Sequence, residues 1–183
     1  MNPRPPRMLW TAALAAAALL LSACGPMLGL DVPFRGTPPA VVDAMLRLAE
    51  VTPTDVVYDL GSGDGRIPIA AARTYGARGV GYDIDPHMVS VSRENAKRAG
   101  VAVRVRFEVQ DIFTASFADA TVVALHLSPE FNLRLRPRLQ RELKPGSRIV
   151  SQRHDMADWR PVRQIDLTVD GVVHPVYLWI VGR

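Results

Sequence analysis

The feature that most constrains this chain is a glycine-rich turn between a strand pattern and a helix pattern. The strand pattern is Val56-Val57-Tyr58-Asp59-Leu60, and the turn continues as Gly61-Ser62-Gly63-Asp64-Gly65. A helical apolar pattern follows and ends at Gly76. A buried strand, a glycine turn and a helix in that order are typical of a doubly wound α/β sheet, whose ligands bind beyond the carboxyl ends of the strands.

Strand and helix patterns alternate along the rest of the chain. Further strands are predicted at 79–83, 103–109, 121–127, 148–151, 165–169 and 176–181. Helices are predicted to begin at Pro38 behind a capping Thr37, at Pro86 behind a capping Asp85, and near Pro137. The last two predicted strands have no room for a long helix between them and Asp170-Gly171 marks a turn, so they should pair antiparallel. The predicted fold is therefore α/β: a doubly wound, Rossmann-like, seven-stranded sheet, mainly parallel with one reversed strand.

The amino-terminal segment has the pattern of an export signal. Arg4 and Arg7 precede fifteen almost wholly apolar residues, 9–23, which is short for a membrane span. The end of this run, Leu21-Ser22-Ala23-Cys24, resembles a bacterial lipoprotein cleavage box. We predict a signal peptide over 1–23, lipidation of Cys24, a linker over 24–36 and a domain over 37–183, anchored in the cell envelope. The alternatives are an uncleaved anchor, or translation from Met27 and a cytoplasmic enzyme.

Composition excludes several functional classes. The 22 Lys and Arg against 18 Asp and Glu give a formal charge of +4, but no block of consecutive basic residues exists, so no nucleic-acid partner is expected. A single cysteine excludes an intrachain disulfide framework and a thiolate metal site. The four histidines do not have metal-ligand spacing, and we predict no metal.

The turn favours a ligand with an amino group over a dinucleotide. A dinucleotide turn has the pattern Gly-x-Gly-x-x-Gly, whereas the third glycine here comes one residue early and Arg66 stands in its place. Asp59 and Asp64 also flank the turn, and carboxylates repel a pyrophosphate but suit an ammonium group. S-adenosylmethionine is such a ligand. A nicotinamide-dependent oxidoreductase remains as an alternative.

Acidic residues at the ends of the next two strands extend this site. Asp83 lies 22 residues after Gly61, the spacing at which a carboxylate accepts hydrogen bonds from ribose hydroxyls. Asp111 follows the third strand and could accept a hydrogen bond from an adenine amine, with Ile84 and Ile112 as apolar walls. Three carboxylates at three neighbouring strand ends would then match three parts of one ligand.

In these residues the chain resembles the class I S-adenosylmethionine-dependent methyltransferases. The runs Thr37-Pro38, Tyr58 to Arg66 and Glu142 to Gly146 are similar to a small group that includes the mitochondrial lysine methyltransferases of the ATP synthase c-subunit. The resemblance implies S-adenosylmethionine as cofactor, held by Thr37, Asp59, Gly61, Ser62, Gly63, Gly65, Asp83, Ile84, Asp111 and Ile112. It also implies a methyl acceptor that is a protein lysine, another protein group or a small molecule. The alternative is a lipid-anchored module that binds the cofactor without turnover.

No residue is predicted to be catalytic. The acceptor site is expected beyond the fourth strand, where His126 and Ser128 replace the aromatic and apolar residues of the resembled group. Glu130 is expected either to deprotonate an amine or to cap the following helix. Trp159 is expected either to line the acceptor pocket or to cover the edge of the sheet.

Overall fold

The computed structural model describes residues 36–183. The predicted signal peptide 1–23, Cys24, Met27 and all of the linker except Gly36 lie outside the described residues. Within 36–183, none of the helices combines the length and the apolar character needed to cross a bilayer.

Seven strands and four helices alternate as the sequence predicts. In chain order they are α1 (Pro39–Leu48), β1 (Val56–Leu60), α2 (Arg66–Tyr75), β2 (Arg78–Asp83), α3 (Pro86–Arg98), β3 (Val105–Val109), β4 (Val122–Leu125), α4 (Pro129–Glu142), β5 (Arg148–Gln152), β6 (Arg163–Val169) and β7 (Val172–Ile180). The strands form one sheet in the order β3-β2-β1-β4-β5-β7-β6. Only β7 runs against the others, so the predicted seven-stranded sheet with one reversed strand is confirmed.

The core lies on both faces of this sheet. On one face Tyr58, Leu125 and Ile149 pack with Leu135 and Leu139 of α4. On the other face Val57, Ala124 and Val150 pack beneath α1. Every residue of β1 is therefore buried, which explains its continuous apolar pattern and makes the buried Asp59 conspicuous.

Two predicted helix starts are wrong. α1 begins at Pro39, with Pro38 and not Thr37 as the residue before it, because the Thr37 hydroxyl is hydrogen-bonded to Nδ1 of His126 at 2.9 Å instead. α4 begins at Pro129, two turns before the predicted start at Pro137. Pro137 lies inside the helix on its exposed side, where water can bind the carbonyl that proline leaves without a backbone donor.

The signals at the true start of α4 and at the last hairpin are local. Ser128 caps α4, since its hydroxyl accepts a hydrogen bond from the backbone N–H of Phe131 at 3.3 Å. β7 begins four residues earlier than predicted because Asp170 and Gly171, both at positive φ, form a two-residue turn that pairs Val169 with Val172. The predicted antiparallel hairpin is therefore confirmed, with longer strands.

Candidate functional site

The glycine turn joins β1 to α2 at the carboxyl edge of the sheet. Gly61, Gly63 and Gly65 all have positive φ, a conformation that residues with a Cβ rarely adopt. The backbone N–H groups of Gly61 and Ser62 both donate to the carbonyl of Tyr82 at 2.8 and 2.9 Å. These two hydrogen bonds hold the turn against the end of β2.

Close packing around the turn explains why glycine occupies positions 61 and 81. A Cβ on Gly61 would lie 2.8 Å from Cδ2 of Leu127, the residue that leaves β4. A Cβ on Gly81 would lie 2.7 Å from the Ser62 hydroxyl and closer still to the ring of Phe107. The Ser62 hydroxyl is buried and has no hydrogen-bond partner within the described residues. The hydrogen-bonding capacity of this oxygen is therefore not satisfied by the described residues.

The Asp83 carboxylate bridges the turn and the start of α3. One of its oxygens accepts from the backbone N–H of Gly63 at 2.7 Å, and the other accepts from the N–H of Asp85 at 3.0 Å. Asp85 in turn caps α3 by accepting from the N–H of His87, as the sequence predicts. Asp83 therefore lies at the predicted place and also shapes the turn.

Asp59 is almost fully buried, with 3% of its surface exposed. Burial raises the pKa of Asp59 well above its ordinary value, and the nearby charges of Asp83 and Asp64 raise it further. Arg66 lowers this pKa in part. A carboxylate in this position gains from a bound cation, because the cation would offset both the burial and the repulsion.

Arg66 links the turn to the segment that precedes α1. Its guanidinium makes a forked ion pair with Asp64, at 2.9 and 2.6 Å, and donates to the carbonyl oxygen of Thr37 at 2.7 Å. Because Thr37 is also bonded to His126, the same contacts reach the end of β4. The sequence pattern does not indicate this link, since it joins residues up to 89 positions apart.

The third predicted carboxylate and its apolar neighbours lie at the same edge. Asp111 is exposed and one of its oxygens accepts from the N–H of Phe113 at 2.9 Å, which turns the chain after β3. Ile84 is 45% exposed beside Asp83, whereas Ile112 is 8% exposed and packs into the core on the α4 face. The structure thus places Asp59 and Asp83 close together, and Asp111 lies one strand further out. The backbone N–H of Gln110 donates to the carbonyl of Asp83 and holds the Asp111 segment beside the end of β2.

The two residues weighed for the acceptor site follow β4 and β5 in the chain. Glu130 lies exposed in the first turn of α4, which Ser128 caps. Trp159 packs against Trp179, whose indole N–H donates to the Trp159 carbonyl at 2.7 Å. Trp159 therefore packs against the sheet, which is the expected role of a cover and not that of a pocket wall.

Sequence reasoning missed a second group of polar residues beside β4. Gln152 is the last residue of β5 and is 1% exposed; its amide is hydrogen-bonded to Nδ1 of His174 on β7 at 2.9 Å. Asn132, in α4, is fully buried and donates to the Ser151 hydroxyl and the His154 carbonyl. A polar residue in the last two positions of a strand is the signal that indicated Asp59 and Asp83, and Gln152 carries the same signal.

This edge fits the predicted cofactor. Three glycines at positive φ shape the turn at the strand ends, and the buried Asp59 beside it favours a cation. No cluster of histidine, cysteine, aspartate or glutamate that could hold a metal ion occurs in residues 36–183.

Comparison with known proteins points to the same chemistry. Residues 59–163 match the family model described as the ANTKMT methyltransferase domain. A protein-lysine N-methyltransferase of Saccharolobus islandicus is 38% identical over 83% of this chain and 95% of its own length. An adenine nucleotide translocase lysine N-methyltransferase of Mus musculus is 36% identical over 79% of this chain, which spans 63% of that relative.

A solved structure resembles the chain more strongly. It is the crystal structure of an RNA methyltransferase from Salinibacter ruber in complex with S-adenosyl-L-homocysteine. It is 54% identical, the match covers 80% of this chain and 94% of that one, and the TM-score is 0.77.

Proposed function

This chain belongs to the ANTKMT methyltransferase domain family and is an S-adenosylmethionine-dependent methyltransferase, and from that premise we propose that its acceptor is the side-chain amine of a protein lysine. The observation that carries the proposal is the protein-lysine N-methyltransferase of Saccharolobus islandicus, which this chain matches over nearly the whole length of that relative. Family membership also favours turnover over a module that only binds the cofactor.

The described residues account for how cofactor and acceptor would be held. S-adenosylmethionine, when bound, would supply a methyl group whose carbon is attacked in line by the amine lone pair, so that an N–C bond forms, the C–S bond breaks and S-adenosylhomocysteine leaves. Asp59 would hold the cofactor's ammonium group, and Asp83 its ribose hydroxyls. A lysine ammonium must first release one proton to solvent, and burial favours this because it lowers the pKa of an amine.

A labelling experiment tests the lysine acceptor. Purified protein and S-adenosylmethionine with a labelled methyl group are incubated with extract from cells in which the gene has been deleted, so that acceptor sites are unmethylated. We expect acid hydrolysis of the labelled protein to yield methyllysine. Asp59→Asn should lower the yield strongly, whereas Asp166→Asn, a matched change on the exposed side of β6, should leave it unchanged. Label in any other amino acid, or none in protein, would contradict the proposal.

RNA is the second candidate acceptor, because the Salinibacter ruber structure is described as an RNA methyltransferase. A cleft lined by Arg78, Arg104 and Arg106 gives this chain a basic surface. That cleft lies at the amino ends of β2 and β3, whereas the glycine turn lies at the carboxyl edge, so it does not direct a phosphate backbone toward the methyl group. Labelled product that ribonuclease destroys and protease leaves intact would favour RNA.

We also propose that the chain is exported and anchored through lipid on Cys24. The support is the sequence pattern alone: two arginines, an apolar run and the sequence Leu21-Ser22-Ala23-Cys24. The mass of the amino terminus purified from its own cells tests this. A diacylglyceryl group on Cys24 is the expected result, and an intact chain beginning at Met27 would indicate a cytoplasmic enzyme instead.

A further inference from the structure

The buried polar atoms without partners collect at one edge of the sheet. Within residues 36–183 three such side-chain atoms occur: the Ser62 hydroxyl oxygen, Oδ1 of Asn132 and Oε1 of Gln152. Ser62 follows β1, Asn132 lies near the start of α4, and Gln152 ends β5, so all three lie at the carboxyl edge. Buried polar groups in folded proteins nearly always have partners, so the partners of these three atoms come from outside the described residues.

Gln152 is the clearest of the three. It is 1% exposed, and within the described residues its amide makes one hydrogen bond, at 2.9 Å to Nδ1 of His174, itself 8% exposed. A primary amide has two donors and an accepting oxygen. Whichever way the amide is turned, one polar end meets His174 and the other has no partner in the described part of the chain.

The strand register places Gln152 on the acceptor side of the cofactor turn. Asp59 pairs with Ala124 of β4, which pairs with Val150 of β5, so these residues share one face of the sheet. Two residues further along the chain, His126 lies just after β4 and Gln152 ends β5, and the alternation of side chains places both on that same face. Neighbouring strands are about 4.8 Å apart, so Gln152 lies about 10 Å across the sheet from β1.

His126, just after β4, therefore forms a row with Gln152 on β5 and His174 on β7, which we call the polar row. Gln152 and His174 are hydrogen-bonded to each other within the row, and His126 is hydrogen-bonded to Thr37 outside it. The row contains no carboxylate. A carboxylate would favour a charged ammonium, whereas an uncharged carbonyl oxygen can bind an amine without holding its extra proton.

We propose that the polar row is the binding site for the acceptor amine and that Oε1 of Gln152 accepts a hydrogen bond from the amine N–H. This rests on the proposed lysine acceptor and names the residue that would orient it. The register places the row across β4 from the β1 turn, so an amine bound by Gln152 would lie on the β4 side of a cofactor held at that turn.

Kinetics of three variants test this role with the same extract and labelled cofactor. Gln152→Met keeps the side chain's length and removes the amide, and should lower kcat/KM for the acceptor about tenfold or more, mainly through KM. Its Kd for S-adenosylhomocysteine should stay that of the wild type. Gln152→Glu puts a carboxylate in the row, which favours the charged ammonium of the acceptor, and should lower kcat while KM changes little. Gln140→Met, the same change at an exposed position of α4, should have no effect.

Three results would overturn the inference. The first is wild-type kcat/KM in Gln152→Met. The second is a loss matched by weaker S-adenosylhomocysteine binding, which would make Gln152 structural. The third is the absence of methyllysine with the wild-type protein, which removes the lysine proposal and this inference with it, whereas the first two leave the lysine proposal intact.

A measurement on the wild-type protein avoids any question of folding. n-Butylamine, a mimic of the lysine side chain, is added to the complex with S-adenosylhomocysteine and followed by NMR of the glutamine side-chain amides. We expect the Gln152 resonance to shift and the Gln140 resonance to stay in place. Saturating n-butylamine without a shift at Gln152 would overturn the proposal.

Discussion

Replacing Asp59 by asparagine separates what a buried carboxylate does to the fold from what it does for a cationic ligand. Burial and the charges of Asp83 and Asp64 place the pKa of Asp59 well above its ordinary value. For a group whose pKa is raised on folding, the stability it contributes is present at low pH and is lost as the pH rises through the raised pKa. Each unit of that rise corresponds to about 1.4 kcal/mol.

Asparagine has nearly the same shape as aspartate and no charge. At pH values above the raised pKa of Asp59, Asp59→Asn should therefore raise the melting temperature of the cofactor-free protein. The same change should weaken cofactor binding. Two unit charges about 4 Å apart attract by about 4 kcal/mol at the effective dielectric of such a site, and release of the Asp59 proton offsets part of this. We expect Kd for S-adenosylmethionine to rise roughly a hundredfold, or about 2.7 kcal/mol.

Calorimetry in two buffers of different ionisation enthalpy provides the sharpest assay. Below the raised pKa, wild-type protein should release one proton as it binds S-adenosylmethionine, and affinity should increase about tenfold per pH unit. Asp59→Asn should release none and show a flat profile, with Asp166→Asn as the matched control. Equal melting temperatures and equal proton release in the wild type and Asp59→Asn would refute the reasoning.

Three other substitutions probe the surroundings of the site. Gly61→Ala combines positive φ with a contact to Leu127 and should lower stability by about 2 kcal/mol and weaken S-adenosylhomocysteine binding, measured by melting and calorimetry. Burial alone would raise the pKa of Asp55, but hydrogen bonds from its neighbours, including Arg148, leave that pKa below its ordinary value. Asp55→Asn should therefore cost about 3 kcal/mol at neutral pH, and this difference should shrink as acid protonates Asp55 in the wild type; a constant difference in pH-dependent unfolding would contradict this. Ser128→Ala should cost about 1 kcal/mol in chemical denaturation through loss of the α4 cap, and no loss would show that the cap is dispensable.

The parallel part of the fold was predictable because its signals are local. β1 occupies Val56–Leu60 as predicted, since a nearly continuous apolar run ends at a glycine. α4 was placed too late because Pro137 satisfies the usual rule for a helix start, while its tolerance inside the helix depends on solvent exposure. Exposure is a property of the packed protein and cannot be inferred from periodicity alone.

The site was predictable to the extent that strand ends define it. Asp59 and Asp83 meet because β1 and β2 are neighbours, and their spacing in the sequence already implied this. The contact between Gln152 and His174 depends on antiparallel pairing of β5 with β7, across 22 residues. The contact between Thr37 and His126 spans 89 residues. No local pattern encodes contacts at such separations.

The two backbone bonds of Asp83 have a consequence for how mutants at this position behave. A carboxylate has room for about four hydrogen bonds, so Asp83 can bind Gly63 and Asp85 and still receive both hydroxyls of a sugar. The turn is thus rigid in its binding shape before any nucleoside arrives, and little conformational freedom is lost on association. Removing this side chain would leave the turn without these two hydrogen bonds and therefore disordered in the free protein. The resulting drop in affinity would include the cost of ordering the turn and would overstate the strength of the sugar contacts themselves.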